Sequence, residues 1–327
     1  MVRRRVVLVA SFMLVLATGR TSADELDSAV QAAIERSVPL LERSQAGYIE
    51  NRSCFSCHHQ SLPAMALAVV RERGFVQDRR NALIQSAHTK RHFAEKAKSV
   101  RNGAGVPGGP YTAGYALVGM HASGWPADQT TADLVQYLLK TQRLDGHWPI
   151  GTNRPPLEYS DFTSTALAVR ALGLYGDSES RQRVIRARQW LEGAKVKTHE
   201  DKVFHLLGLK WTDADSILIK RAADLLREEQ RDDGGWGQLA GMSSDAYATG
   251  QALVALCEAG ELDADSSIHR RGVQFLLRTQ LQDGSWLVKS RSKPFQTYFE
   301  SGFPHKEHQW ISICATSWAV MALAGGN

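Results

Sequence analysis

Residues 53 to 60 read Ser-Cys-Phe-Ser-Cys-His-His-Gln, which sets two of the chain's four cysteines three positions apart with two histidines directly behind them. Three chemistries are open to such a stretch. The thiols of Cys54 and Cys57 can close a small disulfide turn or act in thiol redox exchange. Thiols and imidazoles can share a zinc ion. Or the thiols can hold a prosthetic group covalently while the next imidazole, His58, takes its metal. Zinc is the weakest of the three, because adjacent His58 and His59 chelate one ion with difficulty and no second Cys-x-x-Cys is present. Cys257 and Cys314 fall within apolar stretches and read as small core residues.

Compartment decides which cysteine chemistry is available. The chain opens with Arg3, Arg4 and Arg5, an apolar run from Val6 to Ala17, and Thr21-Ser22-Ala23 before Asp24. That order predicts a signal peptide, residues 1–23, cleaved after Ala23, and a secreted or periplasmic protein. The run is short for a membrane helix and nothing later in the chain is longer, so no membrane span is expected. The whole chain has 39 basic and 34 acidic residues; the signal holds four arginines and no acid, so the remainder carries 35 against 34, a formal net charge of +1. A nucleic-acid partner therefore has no electrostatic support.

The elements that must position the Cys-His stretch announce themselves by repetition. YLLKTQRLDGHW (137–148), LLREEQRDDGGW (225–236) and FLLRTQLQDGSW (275–286) share a large apolar residue, Leu, a Gln four positions later, and Asp-Gly-x-Trp. A degenerate copy survives at Trp190-Leu191, and Leu40-Leu41 with Gln45 carries the front half once more, directly ahead of the Cys-His stretch. The apolar positions recur at helical spacing, and Asp-Gly ends the helix. Trp is expected to fold back over the helix end, with Gln bonding the freed backbone groups. Between the copies lie apolar segments, 61–70, 111–122, 160–176, 202–209, 244–260 and 309–325, which read as buried helices. More charged partners run at 27–45, 78–98, 128–141, 178–194, 215–229 and 264–280. The expectation is an all-α protein of six inner and six outer helices.

The Gln-x5-Trp repeats and the SDAYATGQAL type of inner helix resemble the squalene cyclase and protein prenyltransferase superfamily. That resemblance implies an (α/α)6 toroid of six helical hairpins filling residues 24–327 as a single domain. Its catalytic signatures are missing here. The alkene-protonating Asp-x-Asp-Asp of the cyclases is approached only by Asp213-Ala214-Asp215-Ser216 and Asp263-Ala264-Asp265-Ser266, which lack the last aspartate and read as helix caps. The Asp-x-Cys zinc pair of the prenyltransferases would stand at Asp245-Ala246-Tyr247, where the thiol is absent. The Gly-Cys-Gly-Glu-Gln string of complement-type thioester domains is absent too. Cys54-Phe55-Ser56-Cys57-His58, in turn, resembles the attachment motif of c-type cytochromes. That resemblance implies haem c on Cys54 and Cys57 with His58 as the ligand to the haem iron. A cytochrome would supply a methionine well downstream, whereas Met65 sits on the next helix and is expected to pack in the core.

In a toroid every outer-to-inner connection lies on one face, and closure makes the sixth repeat a neighbour of the first. The longest such connection, 287–309, is therefore expected beside the Cys-His turn. It carries His305 and His308 as candidate second ligands, with Tyr298, Phe299, Glu300 and Phe303 as rim or lid residues. The same face receives Ser160-Asp161 and Ser244-Asp245. Those aspartates, with Tyr111, Tyr115, Phe162 and Tyr247, are the first candidates to line a central cavity holding an apolar small molecule. The sequence thus points to an exported toroid carrying haem c for electron transfer or redox sensing with a redox or protein partner. A terpenoid-transforming enzyme with Asp161 or Asp245 as its acid is the alternative. A scaffold with a Cys54–Cys57 disulfide is the third.

Overall fold

A computed structural model describes residues 22–75, 78–294 and 296–325. The signal segment drawn from the sequence lies outside these residues, apart from its last two positions. The first hairpin pairs α1 (Ser22–Asn51) with α2 (Leu62–Glu72). The second has α3 (Arg79–Ala94), the short α4 (Ala97–Arg101) and α5 (Pro110–Ala122). Then follow α6 (Gln129–Thr141) with α7 (Asp161–Tyr175), and α8 (Ser178–Gly193) with α9 (His199–Trp211). The last two are α10 (Ser216–Arg227) with α11 (Ala246–Glu258), and α12 (Ser267–Thr279) with α13 (Gln309–Gly325). The inner helices touch in the order α2, α5, α7, α9, α11, α13, and α13 returns to α2, so the ring is closed. Among the described residues there is no strand, only an isolated bridge between Arg154 and Glu158. The chain is an all-α (α/α)6 toroid.

Composition sorts the helices into two layers. Every residue from Ile311 to Ala324 of α13 is buried, as its near-continuous apolar sequence requires. α12 buries only His269, Gly272, Val273, Phe275 and Leu276, one stripe at helical spacing, and leaves its arginines outside.

The repeat motif is a joint between neighbouring hairpins. Trp148, Trp236 and Trp286 are 0–1 % exposed, and each indole N–H donates to a carbonyl ten residues back, Leu138, Leu226 or Leu276, at 2.7–2.9 Å. The glutamine ahead of each binds two places at once. Gln142 donates to the carbonyls of Gly146 and of Arg183 on α8. Gln230 does so to Gly234 and to Ile268 on α12. Gln280 reaches Gly284 and Ala33 on α1, closing the ring between its last and first repeats. The motif glycines have φ of +104°, +87° and +87°. A Cβ on them would lie 2.2–2.5 Å from the carbonyl oxygen of Arg186, Arg271 or Arg36 on the next outer helix. Glycine is needed for the left-handed turn and for the close approach alike.

Two outer helices near the mouth differ from expectation. The first outer helix runs to Asn51 rather than stopping near 45, because Tyr48-Ile49 stands where the other copies have the Asp-Gly stop. The second outer helix, expected unbroken over 78–98, breaks after Ala94 and resumes at Ala97.

Candidate functional site

Because α1 lacks the Asp-Gly stop and runs on to Asn51, the first outer-to-inner connection is built differently from the rest. Gln45 keeps the bridging role of the motif glutamines, donating to Gln60 O at 3.2 Å and accepting from Asn81 of α3 at 3.0 Å. Beyond Asn51 the chain turns back, and Ser56 caps a single π-turn, Cys57–Ser61, by accepting from His59 N. Gln60 holds the turn from inside: its Oε1 accepts from Ser56 N at 2.9 Å while its Nε2 donates to His88 Nδ1 at 3.0 Å. The Cys-His stretch is thus the start of an inner helix, at the mouth of the ring.

All four cysteines are free thiols, so the disulfide of the scaffold reading is not formed. Cys57 is buried, with Sγ 3.6 Å from Tyr111 Oη and 3.9 Å from Glu158 Oε1; burial, helped by the Glu158 charge, pushes its thiol up to about 12. Cys54 is half-buried, 3.1 Å from Tyr48 Oη. His58 is half-buried, and burial with Arg154 nearby lowers its pKa to about 3. His59 is buried, hydrogen-bonded to His58 through Nδ1 and to Ser301 Oγ at 2.8 Å through Nε2. Burial keeps it neutral as well.

A pocket of about 340 Å³ opens at this mouth, with three connections forming its walls. The π-turn gives His58 and His59; the third connection gives Arg154 and Glu158; the last gives Tyr298, Phe299 and His308, and the start of α13 gives Trp310. Arg154 and Glu158 exchange two backbone hydrogen bonds, at 2.7 and 3.0 Å, and their side chains form an ion pair. Burial nevertheless raises the Glu158 pKa. The last connection is fastened down on α1: Arg52 donates to Thr297 O at 2.9 Å and stacks 4.2 Å over the Phe299 ring, and Asn51 donates to Glu300 O. Gly47 lies so close to Ser301 that a Cβ there would be 2.3 Å from its carbonyl oxygen.

The 287–309 connection therefore meets the Cys-His turn as the sequence led us to expect, and α13 packs on α2. His308 lines the pocket with His58, its Nδ1 accepting from Ser290 N at 3.3 Å. His305 does not. Its Nε2 is tied to Ser285 Oγ at 2.7 Å and its ring rests on Phe303, which is buried beneath the loop rather than lining the mouth. The expected lining by Tyr111, Tyr115, Phe162 and Tyr247 is likewise corrected. These side chains are 0–6 % exposed and fill the ring as core. Asp161 accepts from Ile150 N at 2.8 Å, and Asp245 from Ala248 N and Gln238, both at 2.9 Å. Each is a brace of its own turn and neither reaches the mouth pocket. Asp215 caps α10 and Ser266 caps α12. Met65 packs against the core.

Among the pocket residues that the sequence reading did not single out are Arg154, Glu158, Gln309 and Trp310. The 149–160 connection that carries the first two is itself long, which was the available signal. Glu200, deep in the ring, was also missed. It accepts from Thr163, Tyr247 and Gln251 at 3.0–3.1 Å, and burial holds it up at about 8. In His199-Glu200-Asp201 it looks like one more acid at a helix start.

The imidazoles suit a haem iron, since His58 and His308 each have Nδ1 engaged and border one pocket with aromatic walls. The thiols stand one side chain behind that surface, Cys57 behind Glu158 and Cys54 behind Tyr48, whose ring meets Phe299. Covalent attachment would require rotation about the turn. Zinc fits less well: among the described residues no three His, Cys, Asp or Glu side chains gather to hold an ion.

Residues 203–327 match the squalene-hopene cyclase C-terminal domain. The chain is 37 % identical over 101 residues to squalene–hopene cyclase of Bradyrhizobium diazoefficiens, covering 28 % of this chain and 14 % of that protein. It is 31 % identical over 105 residues to lanosterol synthase of Saccharomyces cerevisiae, covering 32 % and 13 %. It thus matches only about one-seventh of the length of these relatives. A type II terpene cyclase from Scytonema, solved in complex with geranylgeranyl dihydroxybenzoate, superposes with a TM-score of 0.63 at 13 % identity, over 92 % of this chain and 98 % of that one. In fold, this chain is a terpene cyclase-like toroid. The unsaturated glucuronyl hydrolase of Bacillus sp. GL1 also superposes on the toroid, with a TM-score of 0.56 at 13 % identity over 90 % and 96 % of the two chains. Architecture shared that widely leaves the activity to be argued from the mouth pocket. No helix among the described residues is long and apolar enough to cross a membrane.

Proposed function

We propose that this toroid binds haem c at its mouth, attached through Cys54 and Cys57 with His58 and His308 as iron ligands, and that it serves electron transfer or redox sensing outside the cytoplasm. One observation carries the reading: His58, from the first repeat, and His308, from the last, border a single pocket. A bound haem would supply one-electron chemistry. The chain's own residues supply the setting. His58 is kept neutral by burial and so is able to ligate metal. Phe299 and Trp310 line the pocket and would shield a bound haem from water, a factor that helps set a haem potential. The test is protein made in a host with haem c maturation. Haem absorbance should survive acid-acetone extraction and vanish in the Cys54→Ala, Cys57→Ala double variant. His308→Ala should alter the ferric spectrum while His305→Ala leaves it unchanged. Colourless wild-type protein would overturn the reading.

A terpenoid-transforming activity is the second reading, favoured by the match to the cyclase C-terminal domain and by Glu158, a buried acid on the pocket wall. Glu158, rather than Asp161 or Asp245, is the acid placed to reach a ligand there. Incubation with squalene or a polyprenyl diphosphate is the test. Product that disappears with Glu158→Gln would support this reading, and no product would retire it.

A further inference from the structure

We infer that the closed 297–309 loop sets the tautomer of His58, through a relay of Gln309, Ser301 and His59, so that His58 presents an unprotonated Nε2 to the pocket. The inference deepens the haem reading by naming the residues that position its ligand, but the relay itself is a property of the protein without any bound group.

The relay can be followed atom by atom, because its far end is fixed by groups with only one role. The carbonyl of Phe299 can only accept, and Gln309 Nε2 donates to it at 2.7 Å. That orients the amide so that its Oε1 faces Ser301, whose backbone N–H, able only to donate, donates to it at 3.2 Å. The Ser301 hydroxyl is also in contact with Gln309 Oε1, and two oxygens that close require the hydroxyl proton between them, so Ser301 donates there. Ser301 Oγ is left with acceptor capacity only. It accepts from Phe303 N at 3.3 Å, and the His59 Nε2 at 2.8 Å must therefore be the protonated nitrogen of that ring. His59 is 1 % exposed and its ring nitrogens meet only Ser301 and His58, with no carboxylate to pair a second proton, so the proton on Nε2 leaves Nδ1 as a lone pair. That lone pair meets His58 Nδ1, which must then carry its proton. A ring that carries its one proton on Nδ1 has its lone pair on Nε2, and His58 borders the mouth pocket. Tyr48, stacked on His59 with ring centroids 5.3 Å apart, holds the second ring in place.

Three members of the relay are 0–6 % exposed, and two of them, Ser301 and Gln309, belong to the last connection, whereas His58 and His59 belong to the first. Closure of the loop on α1 and readiness of His58 to bind metal are thereby one event. The adjacent histidines need not chelate one ion together, because they work in series. A hydrogen bond to the distal ring nitrogen is the usual way a protein fixes a ligating imidazole.

The experiment is long-range proton–nitrogen NMR of the full chain, labelled with 15N-histidine and carrying Cys54→Ala and Cys57→Ala so that it is haem-free. Single His→Gln variants assign the peaks. Wild-type relay residues should give His58 as the Nδ1–H tautomer and His59 as the Nε2–H tautomer at pH 7. Ser301→Ala and Gln309→Leu should each move His58 toward the Nε2–H tautomer. Ser301→Thr, which keeps the hydroxyl, should restore the wild-type pattern and controls for disturbed packing. A His58 that is Nε2–H in the parent protein, or one whose tautomer is the same in Ser301→Ala and Gln309→Leu, overturns the inference. Absence of haem from the cysteine-containing protein would defeat the haem reading and leave this result standing.

Discussion

At the scale of single residues, Glu200 shows how burial and hydrogen bonding contend. Three donors point at it, from Thr163, Tyr247 and Gln251, which favours the carboxylate; complete burial favours the acid, and burial dominates, holding its pKa at about 8. The ordinary value is 4.5, so the folded state takes up a proton between pH 4.5 and 8 that the unfolded chain does not. A raised pKa means the contribution is fully present below 4.5 and is lost as pH rises through 8. Glu200→Gln should therefore lower stability at pH 5, where the amide fits the donor set less well. It should also flatten the fall in stability between pH 5 and 8.5, by on the order of a few kcal/mol. Urea unfolding of both proteins at the two pH values measures the difference in slope; equal slopes would mean Glu200 is ionised throughout. Tyr115 Oη and Gln251 Oε1, buried and without hydrogen-bond partners, lie in the same interior.

At the scale of elements, the repeat motif couples a helix end to its neighbour. Trp236→Ala removes a fully buried indole and its bond to Leu226 O, and should cost about 3–5 kcal/mol. Gly284→Ala meets a left-handed backbone and the Arg36 carbonyl together, so a loss of about 2–4 kcal/mol is expected. Chemical denaturation of each variant checks both figures, and a loss below about 1 kcal/mol at Gly284 would mean that α1 moves aside freely. These joints were legible in the sequence because Asp-Gly-x-Trp carries its own geometry: a turn glycine, a plug and a glutamine at constant spacing. The placement of His308 beside His58 was legible too, since it follows from ring closure. What could not be read was local. His305 and His308 are three residues apart on one loop, and only the contact of His305 with Ser285 separates them. Glu158 enters the site because Arg154 and Glu158 bridge across Pro155-Pro156, a pairing with no periodic signal. Tyr111, Tyr115 and Tyr247 have the composition of a cavity lining, yet they close the ring interior, because nothing in their spacing distinguishes a wall from a filling.

At the scale of the whole molecule, the six hairpins form a ring in which the contact between repeats six and one is built like the others. Gln280 joins α12 to α1 as Gln142 joins α6 to α8, and α13 packs on α2 as α11 packs on α13. The two ends of the described chain also lie together: a groove of about 610 Å³ is bordered by Asp27, Val30 and Ile34 of α1 and by Leu323 and Ala324 of α13. If closure rests on side chains rather than on the order of the chain, the ring has no privileged break. A circular permutant should therefore fold, with residue 325 joined to residue 22 through a flexible linker of about ten residues and new ends between Lys195 and Val196. That opening falls between exposed Lys195 and half-buried Val196, and no backbone hydrogen bond there joins the two residues. Its cost should be about 1–2 kcal/mol, chiefly from a freed α8–α9 connection. Far-ultraviolet circular dichroism and urea unfolding test this. A single cooperative transition with native helix content is expected, and the mouth pocket should keep the tautomer pattern of His58 and His59, since no member of that relay belongs to the α8–α9 connection. A permutant that unfolds in two steps would mean instead that repeats four to six and one to three are separate cooperative units, and that α1 and α13 meet only because the chain order presents them to each other.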